Sequence, residues 1–162
     1  QNKDLDIVSA TVEEFDQSPE QVHARRILPE HHEEIVDYAK KRCPFNHPCV
    51  MYKKSTVELA GGYQHFYLLE DYYLWVRMLL NGAISYNLQE PLLWMRTGSN
   101  MYQRRGGLKY AKSLIQLLRY MREQKFINSF QYLQLVIVRT TVSLMPNSAR
   151  KYVYNSLLRK QA

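Results

Sequence analysis

The sequence predicts an α/β fold: a partial sheet with flanking helices, followed by a helical C-terminal region. Asp6-Ile7-Val8-Ser9-Ala10-Thr11-Val12 is β-branched and bounded by polar residues, the pattern of a strand. Leu68, Tyr72, Trp75, Val76 and Leu79 recur at helical spacing and run into Asn81-Gly82, a stop signal. From Leu108 to Gln124 apolar positions keep a helical period, and the rest of the chain also reads as helical.

Between these anchors the elements come in order. Phe15 to Arg26 reads as a polar loop, with Pro19 against regular structure. Pro29 to Ala39 reads as a short helix with acids in its first turn, ended by Lys40-Lys41-Arg42 with the sign its dipole prefers. Two prolines punctuate the loop Cys43 to Pro48, which leads into a strand from Cys49 to Tyr52. Ser55 is placed to cap a short helix through Val57 and Leu59, and Gly61-Gly62 come directly after it. Ala83 to Leu88 reads as a strand, Glu90-Pro91 as a turn, and Leu92 to Arg96 as a second strand. Leu108 to Gln124 carries an apolar stripe opposite Lys109, Lys112, Arg119 and Arg122. Phe130 to Met145 is apolar nearly all round, and its length favours helix over strand. Pro146 ends it, Asn147-Ser148 caps the next segment, and Ala149 to Lys160 forms a short basic amphipathic helix.

A chain of 162 residues can bury a sizeable core, and an aromatic content raised by 13 tyrosines argues against disorder. No apolar run reaches the roughly 18 residues of a spanning helix. The start at Gln1 has neither the basic nor the apolar region of a signal peptide and reads as a chain entered partway through. Cys43 and Cys49 suggest reduced thiols; with His47 they make a poor zinc site, three ligands within seven residues and no partner cluster. His31, His32 and Glu33 lack the i, i+4 spacing of helical metal ligands. Charge is more informative. Up to position 100 there are 10 basic and 14 acidic residues, and beyond it 12 basic residues and one acid, Glu123; together they give the net +7. That asymmetry points to an anionic partner for the C-terminal third.

The chemistry centres on Ala60-Gly61-Gly62-Tyr63 and, after six residues, Glu70-Asp71-Tyr72-Tyr73-Leu74-Trp75. Glycines let a backbone come close to a ligand. Two carboxylates in a first turn face unpaired N–H groups and the positive end of the dipole, which favours the ionised form a general base requires. The same pair also serves an ordinary helix as an acidic first turn, so spacing alone leaves both roles open. No GxGxxG or P-loop fingerprint is present, since Gly106-Gly107 lacks the spacing.

The ordered set Pro44-Phe45-Asn46-His47-Pro48, Val50 to Ser55, Ala60 to Tyr63, Glu70 to Trp75, Arg96-Thr97-Gly98 and Arg104-Arg105-Gly106-Gly107 resembles the C-terminal half of family-2 glycosyltransferases of the GT-A fold. More narrowly it is similar to the bacterial enzymes of capsular and exopolysaccharide synthesis, from about Asp4 to Arg159. The resemblance implies a partial mixed sheet. Residues 1–105 would be the acceptor-side, catalytic part of the domain and residues 106–162 a basic helical extension, the donor-binding half lying upstream. It implies inverting transfer of a sugar from a nucleotide-sugar, a UDP-sugar, to an acceptor hydroxyl. Asp71 would be the general base and Glu70 would orient the acceptor. Gly61 and Gly62 would give it room, with His47 and Tyr63 as sugar contacts.

Arg96, Arg104 and Arg105 would contact the diphosphate, as guanidinium forks suit phosphate oxygens. Such enzymes often carry a metal-binding histidine where Thr97 stands, so no metal ligand is assigned here, although the full-length enzyme could use Mg or Mn. Asp4-Leu5-Asp6 is not the Asp-x-Asp metal motif, because its apolar strand comes after the pair. The acceptor would be a sugar or lipid-linked sugar, met in the cytoplasm at the inner face of the membrane through peripheral contact of residues 106–162. No nucleic acid partner is expected. A sheet cut partway would leave an edge open to dimerisation, and the isolated 162 residues should be inactive. The alternative is a non-enzymatic basic module, with Tyr152 and Tyr154 interleaved among Arg150 and Lys151, binding an anionic membrane or nucleic acid.

Overall fold

A computed structural model of the chain describes residues 4–97, 105–158 and 160–161. The architecture is mixed α/β, as expected. Strand β1 (Ile7–Phe15) is the centre of the sheet and is buried along nearly its whole length. On one side it pairs in parallel with β4 (Ser85–Arg96). On the other it pairs antiparallel with β3 (Val50–Tyr52) through Ile7 to Ser9, and with β2 (Val22–Arg26) through Val12 to Phe15. A two-residue strand β5 (Lys160–Gln161) lies antiparallel on β2.

Three features correct the reading from sequence. The segment before Arg26 is not all loop: β2 forms because Arg25 reaches Glu13 directly across the ladder, at 2.8 and 3.0 Å, while Trp94 Nε1 donates to the same carboxylate from the far side at 2.7 Å. Charged cross-strand partners stabilise a strand that hydropathy hides. Glu90-Pro91 does not turn the chain. It sits inside one continuous β4, where the register slips on both sides of Pro91, so the missing N–H falls at an irregularity. Ser55 is not a cap either: helix α2 (Lys54–Leu59) starts one residue earlier, with Lys53 as N-cap and no side-chain capping bond.

The gap between β3 and β2 on the edge of β1 is filled by a side chain. Asn46 is 1% exposed, and its amide donates to the carbonyls of Ala10 at 2.7 Å and Arg26 at 3.1 Å. Its backbone N–H donates to Ser9 Oγ at 3.1 Å. The loop from Cys43 to Pro48 is thereby fixed on the sheet, with a single 3₁₀ turn at His47–Cys49. Asn87 does similar work from β4, donating to the Pro29 and Pro44 carbonyls.

Helix α1 (His32–Ala39) comes after β2, and α3 (Glu70–Leu80) runs through the middle of the molecule. Its Leu74, Trp75 and Met78 pack with Ile7, Ile35 and Phe45. Its Tyr72 and Val76 pack with Leu114, Leu117, Leu118 and Met121 of α4 (Leu108–Glu123), so this buried cluster crosses residue 105. Asn81 and Gly82 end α3 as the sequence indicated, Gly82 at φ +83°. Helix α5 (Ser129–Leu144) opens with a capping box, Asn128 and Gln131 bonding each other's backbone N–H. It is helix, not strand. Helix α6 (Asn147–Leu158) begins at Asn147 itself, which puts Asn147 and Ser148 in its first turn. Arg150, 5% exposed, turns back to donate to the Ser143 and Met145 carbonyls, and a Cβ on Gly106 would collide with its guanidinium. No helix among the described residues is long and apolar enough to cross a membrane.

Two measurements test this architecture. Asn46→Ala strands the buried Ala10 carbonyl and should cost about 1–3 kcal/mol in urea denaturation. Asp6 accepts from the Ile84 N–H at 2.9 Å, from Lys53 Nζ at 3.0 Å and from the Thr56 hydroxyl. Burial alone would raise its pKa, but these partners together lower it below 3.8. A depressed carboxylate stabilises the fold fully above its unfolded value and loses that contribution as pH falls through the folded one. Asp6→Asn should therefore be less stable than the parent at pH 7, and the gap should close in denaturation curves taken below pH 3.

Candidate active site

The turn leading into α3 builds the site. Gly61 and Gly62 have φ of +79° and +64°, which only glycine adopts without strain, and a Cβ on Gly62 would meet nothing within 4 Å. Arg77, one of the buried residues of α3, reaches back to this turn, donating to the Ala60 carbonyl at 2.5 Å and the Gly62 carbonyl at 2.7 Å, and its guanidinium lies 4.4 Å from the Tyr73 ring centroid. A buried cation thus ties the glycine turn to the helix that carries the carboxylates. Leu68, at φ +57°, redirects the chain just before the helix starts.

The two carboxylates face different spaces. Glu70 is exposed and, with Tyr63, His65 and Leu68, walls an open depression of about 470 Å³. Asp71 is half-buried and lines a separate cavity of about 110 Å³. Four arginines from four segments line that same cavity: Arg26 at the end of β2, Arg42 after α1, Arg105 before α4 and Arg139 on α5. Asp71 accepts from the Tyr72 N–H at 2.6 Å, and Cys43 Sγ lies 4.0 Å from its other oxygen. Burial first, then the Asp71 charge, push the Cys43 thiol up to about 11, against the pull of Arg26 and Arg105. Both cysteines are free thiols.

The residues singled out from sequence fall into separate groups: Asp71 and Arg105 line one cavity, Tyr63 and Glu70 the open depression, and His47 neighbours Tyr63. His47 is exposed, its ring 6.2 Å from Trp75 and 6.4 Å from Tyr63, which is itself 6.4 Å from Trp75. Burial, then Tyr52, then the charges of Asp71 and Glu70 push the Tyr63 phenol up to about 12, so it stays a hydrogen-bond donor at neutral pH. Arg105 is in the Asp71 cavity. Arg96 stands apart from it: its guanidinium donates to the carbonyls of Asp16 and Gln17 and covers the Phe15 ring. Arg104 and Arg159 lie outside the described residues, as do the side chains of Lys151 and Tyr154.

Arg42 and Arg139 escape the sequence reading as site residues, because one reads as a helix-ending charge and the other as a polar break in an apolar helix. Tyr72 hints at the convergence. Its hydroxyl donates to the Ala39 carbonyl at 2.6 Å, and Arg139 lies over its ring while bonding the Lys41 carbonyl.

The described residues offer no set of three His, Cys, Asp or Glu side chains that could hold a metal. Thr97 is engaged with Asp16 at 2.8 Å and with His23 at 3.2 Å, and Asp6 with its three partners.

Comparison with known proteins gives the class first. The chain is similar to bacterial glycosyltransferases, and it spans a little over half the length of the three relatives named next. One is the UDP-Gal:alpha-D-GlcNAc-diphosphoundecaprenol beta-1,3-galactosyltransferase of Escherichia coli, 38% identical over 159 residues, 98% of this chain and 58% of that protein. Another is the amylovoran biosynthesis glycosyltransferase AmsE of Erwinia amylovora, 36% identical over 148 residues, 90% of this chain and 54% of the relative. An uncharacterized glycosyltransferase of Haemophilus influenzae is 34% identical over 154 residues, 95% and 57% of the two chains. No family model and no solved structure matches.

The Asp71–Cys43 contact predicts a measurable reactivity. In a Cys49→Ser background, Asp71→Asn removes the charge that raises the Cys43 thiol. The thiol should then titrate below about 11 and react faster with iodoacetamide at pH 9. An unchanged rate would mean that the carboxylate does not act on this sulfur.

Proposed function

We propose that this chain is the acceptor-binding and catalytic part of an inverting glycosyltransferase of the GT-A type. It would transfer a sugar from a UDP-sugar to an acceptor hydroxyl in cell-surface polysaccharide synthesis. One observation carries the reading: Asp71 lines a cavity ringed by arginines, at the start of a helix that two buried clusters hold rigid. In such a site Asp71 takes the proton from the acceptor hydroxyl as that oxygen attacks the anomeric carbon, and the nucleoside diphosphate leaves from the opposite face of the sugar. Arg105 supports a diphosphate contact by its place in the same cavity, and Arg104 precedes it in sequence. Glu70, Tyr63 and His47 sit on the exposed side, where a sugar's hydroxyl groups find an acceptor, a phenol donor and an imidazole.

The similarity to an enzyme that acts on a diphosphoundecaprenol-linked sugar supports a lipid-linked acceptor. Peripheral membrane contact through residues 106–162 fits this, and a row of exposed apolar residues on α5, Phe130, Leu133 and Ile137, supports it further.

The test is Asp71→Asn in the full-length protein, assayed with a UDP-sugar and a lipid-linked sugar. Loss of a positioned base should lower kcat by about 10²–10⁴-fold with an unchanged unfolding transition. Retention of near-parental turnover would remove Asp71 from the mechanism.

A further inference from the structure

A groove of about 440 Å³ runs between the end of α1, α4 and α5, a volume in the range of small-molecule sites. Its walls are mostly apolar, with Leu114, Leu135, Val138 and Val142 among them. Its rim is basic: Lys41, Arg42, Arg105 and Arg139 border it, together with Lys40, whose ammonium is paired with Asp37 at 2.6 Å. Arg42, Arg105 and Arg139, with Tyr110, border both this groove and the Asp71 cavity. The groups therefore succeed one another in a fixed order: a carboxylate, a cluster of cations, then an apolar trough.

We infer that this groove is the seat of the isoprenoid chain of a lipid diphosphate, whose diphosphate lies against Lys41, Arg42 and Arg139. The inference rests on the acceptor reading above and assigns its lipid end. A sugar joined through a diphosphate to a hydrocarbon chain has its parts in the same order as the site. The hydroxyl comes first, at Asp71. The anionic linkage comes next, where guanidinium and ammonium groups gather and suit phosphate oxygens. The chain comes last, where burying it against Leu114, Leu135 and Val138 removes apolar surface from water. A free nucleotide has the anion but nothing for the trough, and a neutral lipid has nothing for the rim. Beside the groove, Phe130, Leu133 and Ile137 on α5 are 75, 58 and 58% exposed, an apolar face from which a membrane-held chain can enter.

The experiment is calorimetric titration of the full-length protein with farnesyl diphosphate, farnesol and inorganic diphosphate. Farnesyl diphosphate should bind at least tenfold tighter than either fragment. Val138→Trp, at a half-exposed position that tolerates a larger side chain, should weaken farnesyl diphosphate at least tenfold and leave inorganic diphosphate unchanged. Lys41→Glu, at an exposed side chain, should weaken both diphosphates at least fivefold and leave farnesol unchanged. Equal affinities for farnesyl and inorganic diphosphate would reduce the site to an anion site and overturn the inference. So would a Val138→Trp protein that loses phosphatidylglycerol vesicles but keeps farnesyl diphosphate, because the groove would then be a general membrane face. These outcomes are separate from the catalytic reading. Loss of transfer in Asp71→Asn together with unaltered lipid diphosphate binding in Val138→Trp would sink the groove and leave the base standing.

Discussion

The geometry of this chain depends on one amide. Strand β1 has a full-length neighbour on one side, but on the other it is shared end to end by β3 and β2, and between them its backbone has no strand to bond. Buried carbonyls without partners are costly, so the gap has to be closed by something other than a strand. Asn46 closes it, holding the Ala10 and Arg26 carbonyls at once while Ser9 holds its own backbone. Because the neighbouring residues are then fixed in space, Phe45 is driven under Trp75 at 5.7 Å and His47 is left on the outside beside Tyr63. The sheet's stability and the display of the site's aromatic rim thus rest on the same side chain.

From Asn46 the constraint passes to α3 through Trp75, and from α3 to the glycine turn through Arg77. This explains a helix that is polar at its start and buried at nearly every later position. The carboxylates stand at the one end that is not packed, on a helix whose other residues cannot move without disturbing two buried clusters. Rigidity of that kind is what a positioned base needs, since a small misplacement of a reacting group costs much of its effect.

Local patterns are legible in the sequence and pairings are not. The Glu-Asp helix, its Asn81-Gly82 stop and the stripe of α4 come from a period of 3.6 and simple stop chemistry. The strand Val22 to Arg26 is hidden because His23, Arg25 and Arg26 look like loop residues until Glu13 and its ladder are known. Pro91 looks like a turn because its bulge exists only against β1. Ser55 looks like a cap, but Lys53 already takes the extended conformation that a cap requires. Of the residues lining the Asp71 cavity, Asp71 and Arg105 are among those that motif order singles out, and His47 and Tyr63 are neighbours outside it. Arg42 and Arg139 are not singled out, because 97 residues separate two side chains that the fold brings to one cavity.

The charge asymmetry takes on a different meaning once the fold is known. Along the chain, the basic C-terminal third suggests a surface, a solvated face turned toward something anionic. In space, Arg105, Arg139 and Arg150 do not point outward as a group. Arg150 is spent on the end of α5, and Arg105 and Arg139 turn inward to meet Arg26 and Arg42 around Asp71. Four guanidinium groups and one carboxylate line the cavity, and a low-dielectric wall makes their field more effective than the same charges in water. The basic C-terminal third is thus divided: Arg105 and Arg139 belong to this cavity and its rim, while Lys109, Lys112, Arg119, Arg122 and Lys125 stay exposed on the surface.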